Sequence, residues 1–313
     1  MDNNLNFQRN SFITEIYKAA KKNNNIYFLS ADFGAPALDQ FRENLQKQFL
    51  HLGISEQNMV NFACGLALES KKVYIYAMAP FLSLRCLEQH KTATCLMNLN
   101  VCSIVTGIGL SYANSGPTHY STEDFASLRS LPNSIIYTCS DAESAKMVAR
   151  ETLKIKTPVF VRLDRKESKN LIKKIKVSDI KRGFRYLKKT KGSKNLILSH
   201  GTIIERPISA LKDIKLSKAN DFDVIDLIRA KPFPSELKNN LSKYKTIMTV
   251  DEQSSVGSLE SLIKENISTK HNILPMSLPD QFIFENMGRD KLLDKYGLSI
   301  SSIKKSIYKI IKS

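Results

Sequence analysis

Short runs of β-branched and aromatic residues alternate along this chain with longer stretches of three- and four-residue apolar spacing, and few folds accept that alternation. A run such as VYIYAM (73–78) supplies a strand, and a stretch such as EQNMVNFACGLALES (56–70) places apolar side chains along one face of a helix. Strand, helix and strand in repeated order predict βαβ units around a parallel sheet. The candidate strands are IYFLSAD (26–32), VYIYAM (73–78), VCSIVTG (101–107), SIIYTCS (134–140) and PVFVRLD (158–164). Between them LSLRCLEQHKTATCLMNL (82–99) and DAESAKMVARETLKI (141–155) read as helices, the second with Asp141 as N-cap and Ser144 close behind. After a stretch rich in Lys and Arg the pattern restarts, with strands at NLILSHG (195–201), DFDVIDLI (221–228) and KTIMTVDEQ (245–253) and helices at ERPISALKDI and SLESLIKENI. The expected fold class is α/β: two consecutive doubly wound domains with mostly parallel sheets, at 1–165 and 195–313, joined by a basic linker at 166–194. A chain of 313 residues is long enough for two such cores.

The formal net charge of +17 raises the question of a polyanionic partner. The excess concentrates between Arg165 and Lys194 and in the final SSIKKSIYKIIKS, with none of the aromatic-interleaved basic repeats on which bases stack. Solvated helix faces or an acidic partner subunit account for it, and no nucleic acid is expected. No run approaches the roughly 18 to 20 apolar residues of a membrane span, and MDNNLNFQRNSF lacks a basic region followed by an apolar one, so a cytoplasmic location and no membrane association are expected. Cys64, Cys86, Cys95, Cys102 and Cys139 are odd in number and form no CxxC pair, which points to buried thiols and away from a zinc site.

A glutamate, Glu56, sits between a Gly-containing turn and an apolar helix, where the positive helix end favours a carboxylate; on spacing alone it reads equally well as a capping residue. Its surroundings carry more. GISEQNM (53–59) resembles the glutamate motif of the transketolase family, and the resemblance runs through ADFG (31–34), APFLSLRCLEQ (79–89), SGPTHYSTED (115–124), LRSLPN (128–133), TPVFVRLDR (157–165), TVDEQSSVGSLES (249–261) and KYGLS (295–299). It implies a thiamine diphosphate pyrimidine-binding domain followed by the transketolase C-terminal domain. It also implies a role for each matching residue. Glu56 would hydrogen-bond the aminopyrimidine ring nitrogen and promote its imino tautomer, for which a carboxyl able to hold or share a proton is required, and the cofactor itself would supply the carbanion chemistry. Phe81 would pack against the aminopyrimidine; otherwise it is a core Phe at a strand end.

His119, in GPTH, matches a substrate-facing histidine able to bond a sugar hydroxyl or pass a proton. Ser115 stands where transketolases commonly carry Asp against a substrate hydroxyl, so a neutral group replaces an anionic acceptor. Arg129 and Arg165 match positions where arginines meet a substrate phosphate with a bidentate fork; the alternative for Arg129 is an ion pair with Glu123 or Asp124. Gly107 replaces a phosphate-side histidine of the family, a second departure, and a specialised sugar is the reading that follows from the two.

Nowhere does the chain carry the GDG with a later Asn that holds Mg²⁺ and the diphosphate in this family. The resemblance therefore implies the C-terminal subunit of a split transketolase-like enzyme, moving a two-carbon ketol unit from a ketose to an aldose. The Mg²⁺ ligands would sit on an N-terminal subunit carrying the diphosphate-binding domain, in a homodimer or, with that subunit, a heterotetramer. The alternatives are a 2-oxoacid dehydrogenase β-subunit, a deoxyxylulose-phosphate synthase-like fragment, a noncatalytic stabilising subunit and, from another class, a basic nucleic-acid-binding protein.

Overall fold

The computed structural model describes residues 7–31, 34, 36–168, 171, 175–267 and 271–312. Twelve strands occur among them: β1 (Ile26–Ser30), β2 (Phe49–His51), β3 (Lys72–Met78), β4 (Val101–Thr106), β5 (Ile135–Thr138), β6 (Val159–Leu163), β7 (Phe184–Lys188), β8 (Asn195–Ser199), β9 (Phe222–Leu227), β10 (Arg229–Lys231), β11 (Thr246–Ser254) and β12 (Asn272–Leu278). They make two sheets, in the orders β10-β5-β6-β4-β3-β1-β2 and β12-β11-β8-β9-β7. All pairings are parallel except at one edge of each sheet, where β10 runs against β5 and β7 against β9. The α/β class with mostly parallel sheets is thus as the alternation predicts.

The strands read as unbroken apolar runs because helices cover both faces of the larger sheet. Along β3, Tyr74 and Tyr76 enter one core with Phe12, Ile16 and Val148 from the helices Gln8–Ala20 and Ala142–Thr152. Val73, Ile75 and Ala77, one residue out of phase, enter another with Met59, Val60 and Ala63 of the helix Glu56–Leu68. A third core, with Phe125, Leu128 and Phe160 against Phe184, Leu196 and Ile225, joins the two sheets. Asp141 caps its helix as expected: its carboxylate accepts from the Ser144 amide at 2.7 Å, and the Ser144 hydroxyl faces the Asp141 amide at 3.1 Å.

Three expectations need correction. The basic stretch 166–194 is more than a connector, since it holds a helix, Val177–Arg182, and the strand β7. Its Lys content hides the inward residues: Phe184 is in the core, and Arg185 is fully buried because Asp226 and Asp141 take its guanidinium at 2.8 and 2.9 Å. The segment 82–99 is broken rather than one helix, ending in a wide turn over His90–Cys95. Ser83, Thr92 and Thr94 each bond the carbonyl four residues back, which pulls backbone groups away from regular pairing. Finally, β2 is absent from the expected strands, because three residues are too few to show a period. Asp32 and Phe33 of the ADFG block, with the end of the first expected strand, lie outside the described residues.

The five cysteines are buried and free. The last helix, Ile300–Lys312, buries Ile303, Ile307 and Ile310 and turns Lys305, Lys309 and Lys312 to solvent, so its charge is that of an exposed face. No helix among the described residues is long and apolar enough to cross a membrane.

Candidate active site

The parallel order of β4, β3, β1 and β2 brings the segments that leave their C-terminal ends to one rim of the larger sheet. After β2 the chain turns at Gly53, where φ is +66° and a side chain would be strained, and enters the helix Glu56–Leu68. Glu56 is its first residue and only 5% exposed. Its carboxylate is met by the Arg85 guanidinium at 2.9 Å, an ion pair that no spacing argument foresees. Arg85 in turn lies over the Phe81 ring, 4.3 Å from the centroid, and the edge of His119 meets Phe81 at 5.3 Å and 73°. Burial, then the Glu56 charge, push the thiol of Cys86, next in the chain, up to about 12.

His119 and Ser115 share the loop that follows β4. Gly109 and Ser121 pair across the loop's base, and Gly116 adopts a φ of +76°. Ser115 is exposed, its amide donating to the Tyr112 carbonyl at 2.8 Å. His119 is half-buried, with Nδ1 2.9 Å from the Thr118 hydroxyl and its ring 6.2 Å from Tyr112. Tyr112 explains the departure at Gly107. A Cβ built there would lie 1.9 Å from the Tyr112 ring, at a φ of +90°, so the tyrosine occupies space that a side chain at 107 would need. Burial pushes the Tyr112 phenol up to about 12, against the opposing charges of Arg165 and Arg9.

Arg165, exposed just beyond β6, stacks its guanidinium over Tyr112 at 4.8 Å. Contacts therefore run without a break from Glu56 through Arg85, Phe81, His119 and Tyr112 to Arg165, bringing four of the six expected site residues into one array and placing Ser115 on the same loop. Arg129 is not among them. Glu265 and the Gly257 carbonyl, the latter at 3.0 Å, hold its guanidinium, which is only 11% exposed. Asp124, its alternative partner on sequence grounds, forms instead a bidentate pair with Arg162, at 2.7 and 3.0 Å.

Arg85, Tyr112 and Arg9 are the residues that sequence reasoning missed. APFLSLRC does place Arg85 four residues after Phe81, the distance of one turn, and that spacing is a usable signal. Nothing comparable marks Tyr112 or Arg9.

A buried carboxylate joined through one guanidinium to a half-exposed flat aromatic ring is a set of groups suited to a planar heterocycle with a basic ring nitrogen. No group of three or more His, Cys, Asp or Glu that could hold a metal occurs among the described residues.

Comparison with known proteins leads in the same direction. Residues 8–170 match the model of the transketolase pyrimidine binding domain, and residues 185–303 that of the transketolase C-terminal domain. The chain is 27% identical over 317 aligned residues to a protein of Methanocaldococcus jannaschii named as a putative transketolase C-terminal section, covering 97% of this chain and 96% of that one. It is 26% identical to one of the subunits of the apulose-4-phosphate transketolase of Phocaeicola vulgatus, with both chains fully covered. The 1-deoxy-D-xylulose-5-phosphate synthase of Clostridium perfringens is also 26% identical, but this chain spans 49% of its length. Among solved structures, a split gene transketolase in an inactive beta4 tetramer superposes with a TM-score of 0.85 at 23% identity, over 98% of each chain.

Proposed function

The chain belongs to the transketolase family, and from that membership we propose that it is the subunit of a split enzyme that holds the aminopyrimidine end of thiamine diphosphate for transfer of a two-carbon ketol unit from a ketose to an aldose. The observation that carries the proposal is the run of contacts from the buried Glu56 carboxylate through the Arg85 guanidinium to the Phe81 ring and His119. Two relatives matched end to end, one named as a C-terminal section and the other as a single subunit of a transketolase, support the split. Thiamine diphosphate, when bound, supplies the carbanion and electron-sink chemistry.

The tasks left to this chain are orientation and proton handling. Glu56 would hold a proton at the carboxyl oxygen that faces the pyrimidine ring nitrogen and share it with that nitrogen. Phe81 would fix the plane of that ring by offset stacking. His119, with Nδ1 occupied by Thr118, would present its other ring nitrogen to a substrate hydroxyl. Arg165 would offer a fork to a substrate phosphate, and Ser115 a neutral donor and acceptor where an anionic acceptor would select a different hydroxyl pattern. The Mg²⁺ and diphosphate ligands are assigned to a separate N-terminal subunit, in an assembly of two copies of each chain.

The test uses the complex reconstituted with that subunit. Glu56→Gln should leave assembly intact and slow exchange of the thiazolium proton for deuterium, followed by NMR after rapid quench, by about 10²- to 10⁴-fold. An exchange rate equal to the parent's would reduce Glu56 to a helix-terminal residue. Activity of the present chain with the cofactor and no second polypeptide would refute the split.

A further inference from the structure

Arg85 makes, with one side chain, two contacts of the kind that a pyrimidine ring would make at this site. Its Nη1 donates to the Glu56 carboxylate at 2.9 Å, and its planar guanidinium lies on the Phe81 ring at 4.3 Å. We propose that Arg85 is a built-in occupant of the aminopyrimidine site, which keeps Glu56 and Phe81 paired in the cofactor-free chain and is displaced when the heterocycle takes both. The proposal rests on the assignment of Glu56 and Phe81 to that ring.

A carboxylate only 5% exposed needs a cation or donors near it, because burial removes the water that would otherwise stabilise its charge. Arg85 is the residue that meets it. Yet a guanidinium bonded to that carboxylate takes the oxygen that a ring nitrogen requires, so the two partners exclude each other. Arg85 is also placed to leave. Its side chain is 42% exposed, and it stands in the turn between the helical segments Ala79–Leu82 and Leu87–Gln89. Its carbonyl, which accepts from the Gln57 side chain at 3.2 Å, anchors the turn while the side chain remains free to swing into solvent.

The experiment is calorimetric titration of thiamine diphosphate with Mg²⁺ into the reconstituted complex of both subunits, for the parent, Arg85→Ala, Arg85→Lys and Phe81→Ala. An occupant that must be expelled weakens binding, so Arg85→Ala should bind the cofactor about three- to tenfold tighter, the size expected for a partly exposed pair. Arg85→Lys, which keeps the charge but loses the flat fork, should fall between parent and Ala. The melting temperature should fall in Arg85→Ala for the cofactor-free complex and equal the parent's when the cofactor saturates. Unchanged or weaker affinity in Arg85→Ala, with Phe81→Ala weakened, would overturn the displacement and leave the site assignment standing. Parent-like affinity in Phe81→Ala would overturn that assignment and this proposal with it.

Discussion

Arg289 and Asp164 meet 2.7 Å apart between the two halves of the chain, the arginine from the helix Arg289–Lys295 and the aspartate from the end of β6. The same guanidinium holds both oxygens of Glu252 on β11 and the Thr202 hydroxyl. The two acids also reach the loop that carries Ser115 and His119: Asp164 accepts from the Ser111 hydroxyl at 2.9 Å, and Glu252 from the Leu110 amide at 3.0 Å. Burial would raise Asp164, but the Arg289 charge, with the bonds from Thr202 and the Lys166 amide, holds its carboxyl below the usual range.

Removing the shared cation leaves two buried carboxylates without a counter-charge and with only neutral donors. Arg289→Leu should therefore lose about 3 to 5 kcal/mol of stability, read from the urea midpoint of the isolated chain. A loss below about 1 kcal/mol would mean that water reaches the cluster and that it does not hold the halves together.

The two arginines expected at a phosphate should separate in their effects. Arg165→Lys should lower kcat/KM for a phosphorylated sugar by about ten- to a hundredfold at unchanged cofactor affinity, the loss of one charge-assisted fork. Arg129→Lys, whose guanidinium is spent on Glu265 and Gly257, should lower the urea midpoint and leave that kinetic constant near the parent's. The reverse pattern would return Arg129 to the substrate.

Ser115→Asp should shift the ratio of kcat/KM values between two acceptor aldoses, since it adds an anionic acceptor at an exposed position of the loop. An unchanged ratio would show that residue 115 does not face the substrate.

His90 carries a pH dependence. Burial pushes it down to about 4 from an ordinary 6.5; one ring nitrogen lies 2.8 Å from the Leu82 carbonyl and the other 3.1 Å from the Thr94 hydroxyl. The neutral ring is the folded form, so the unfolded chain binds the extra proton. Its contribution is present in full above pH 6.5 and is lost as pH falls toward 4. Asp251, raised to about 7 chiefly by burial, acts in the opposite sense, so the measurement has to be differential. Between about pH 7 and pH 5 the parent should lose about 2 kcal/mol more stability than His90→Gln in urea titrations. Equal losses would place His90 in contact with water.

The sequence by itself determined the class of the fold, eight of the twelve strands among the described residues and the position of Glu56 at a helix start, because each follows from a local period or from neighbouring residues. The ion pairs were decided elsewhere. Which of 47 Lys and Arg residues meets which acid depends on how crossovers order the sheet, and the choices span the chain: Arg129 with Glu265, Arg185 with Asp141 and Asp226, Arg289 with Asp164. The strand β7 was hidden for the same reason, since an arginine reads as solvent-exposed until two distant aspartates are packed against it. Arg85 shows this at the candidate site. Its four-residue distance from Phe81 is legible, but its pairing with Glu56, 29 residues away, exists only because β2 and β3 flank β1 in parallel and carry the segments that follow them to one rim. Periodicity reports which face of an element is apolar; electrostatic pairing is a through-space property, and only the packed structure brings its partners within reach.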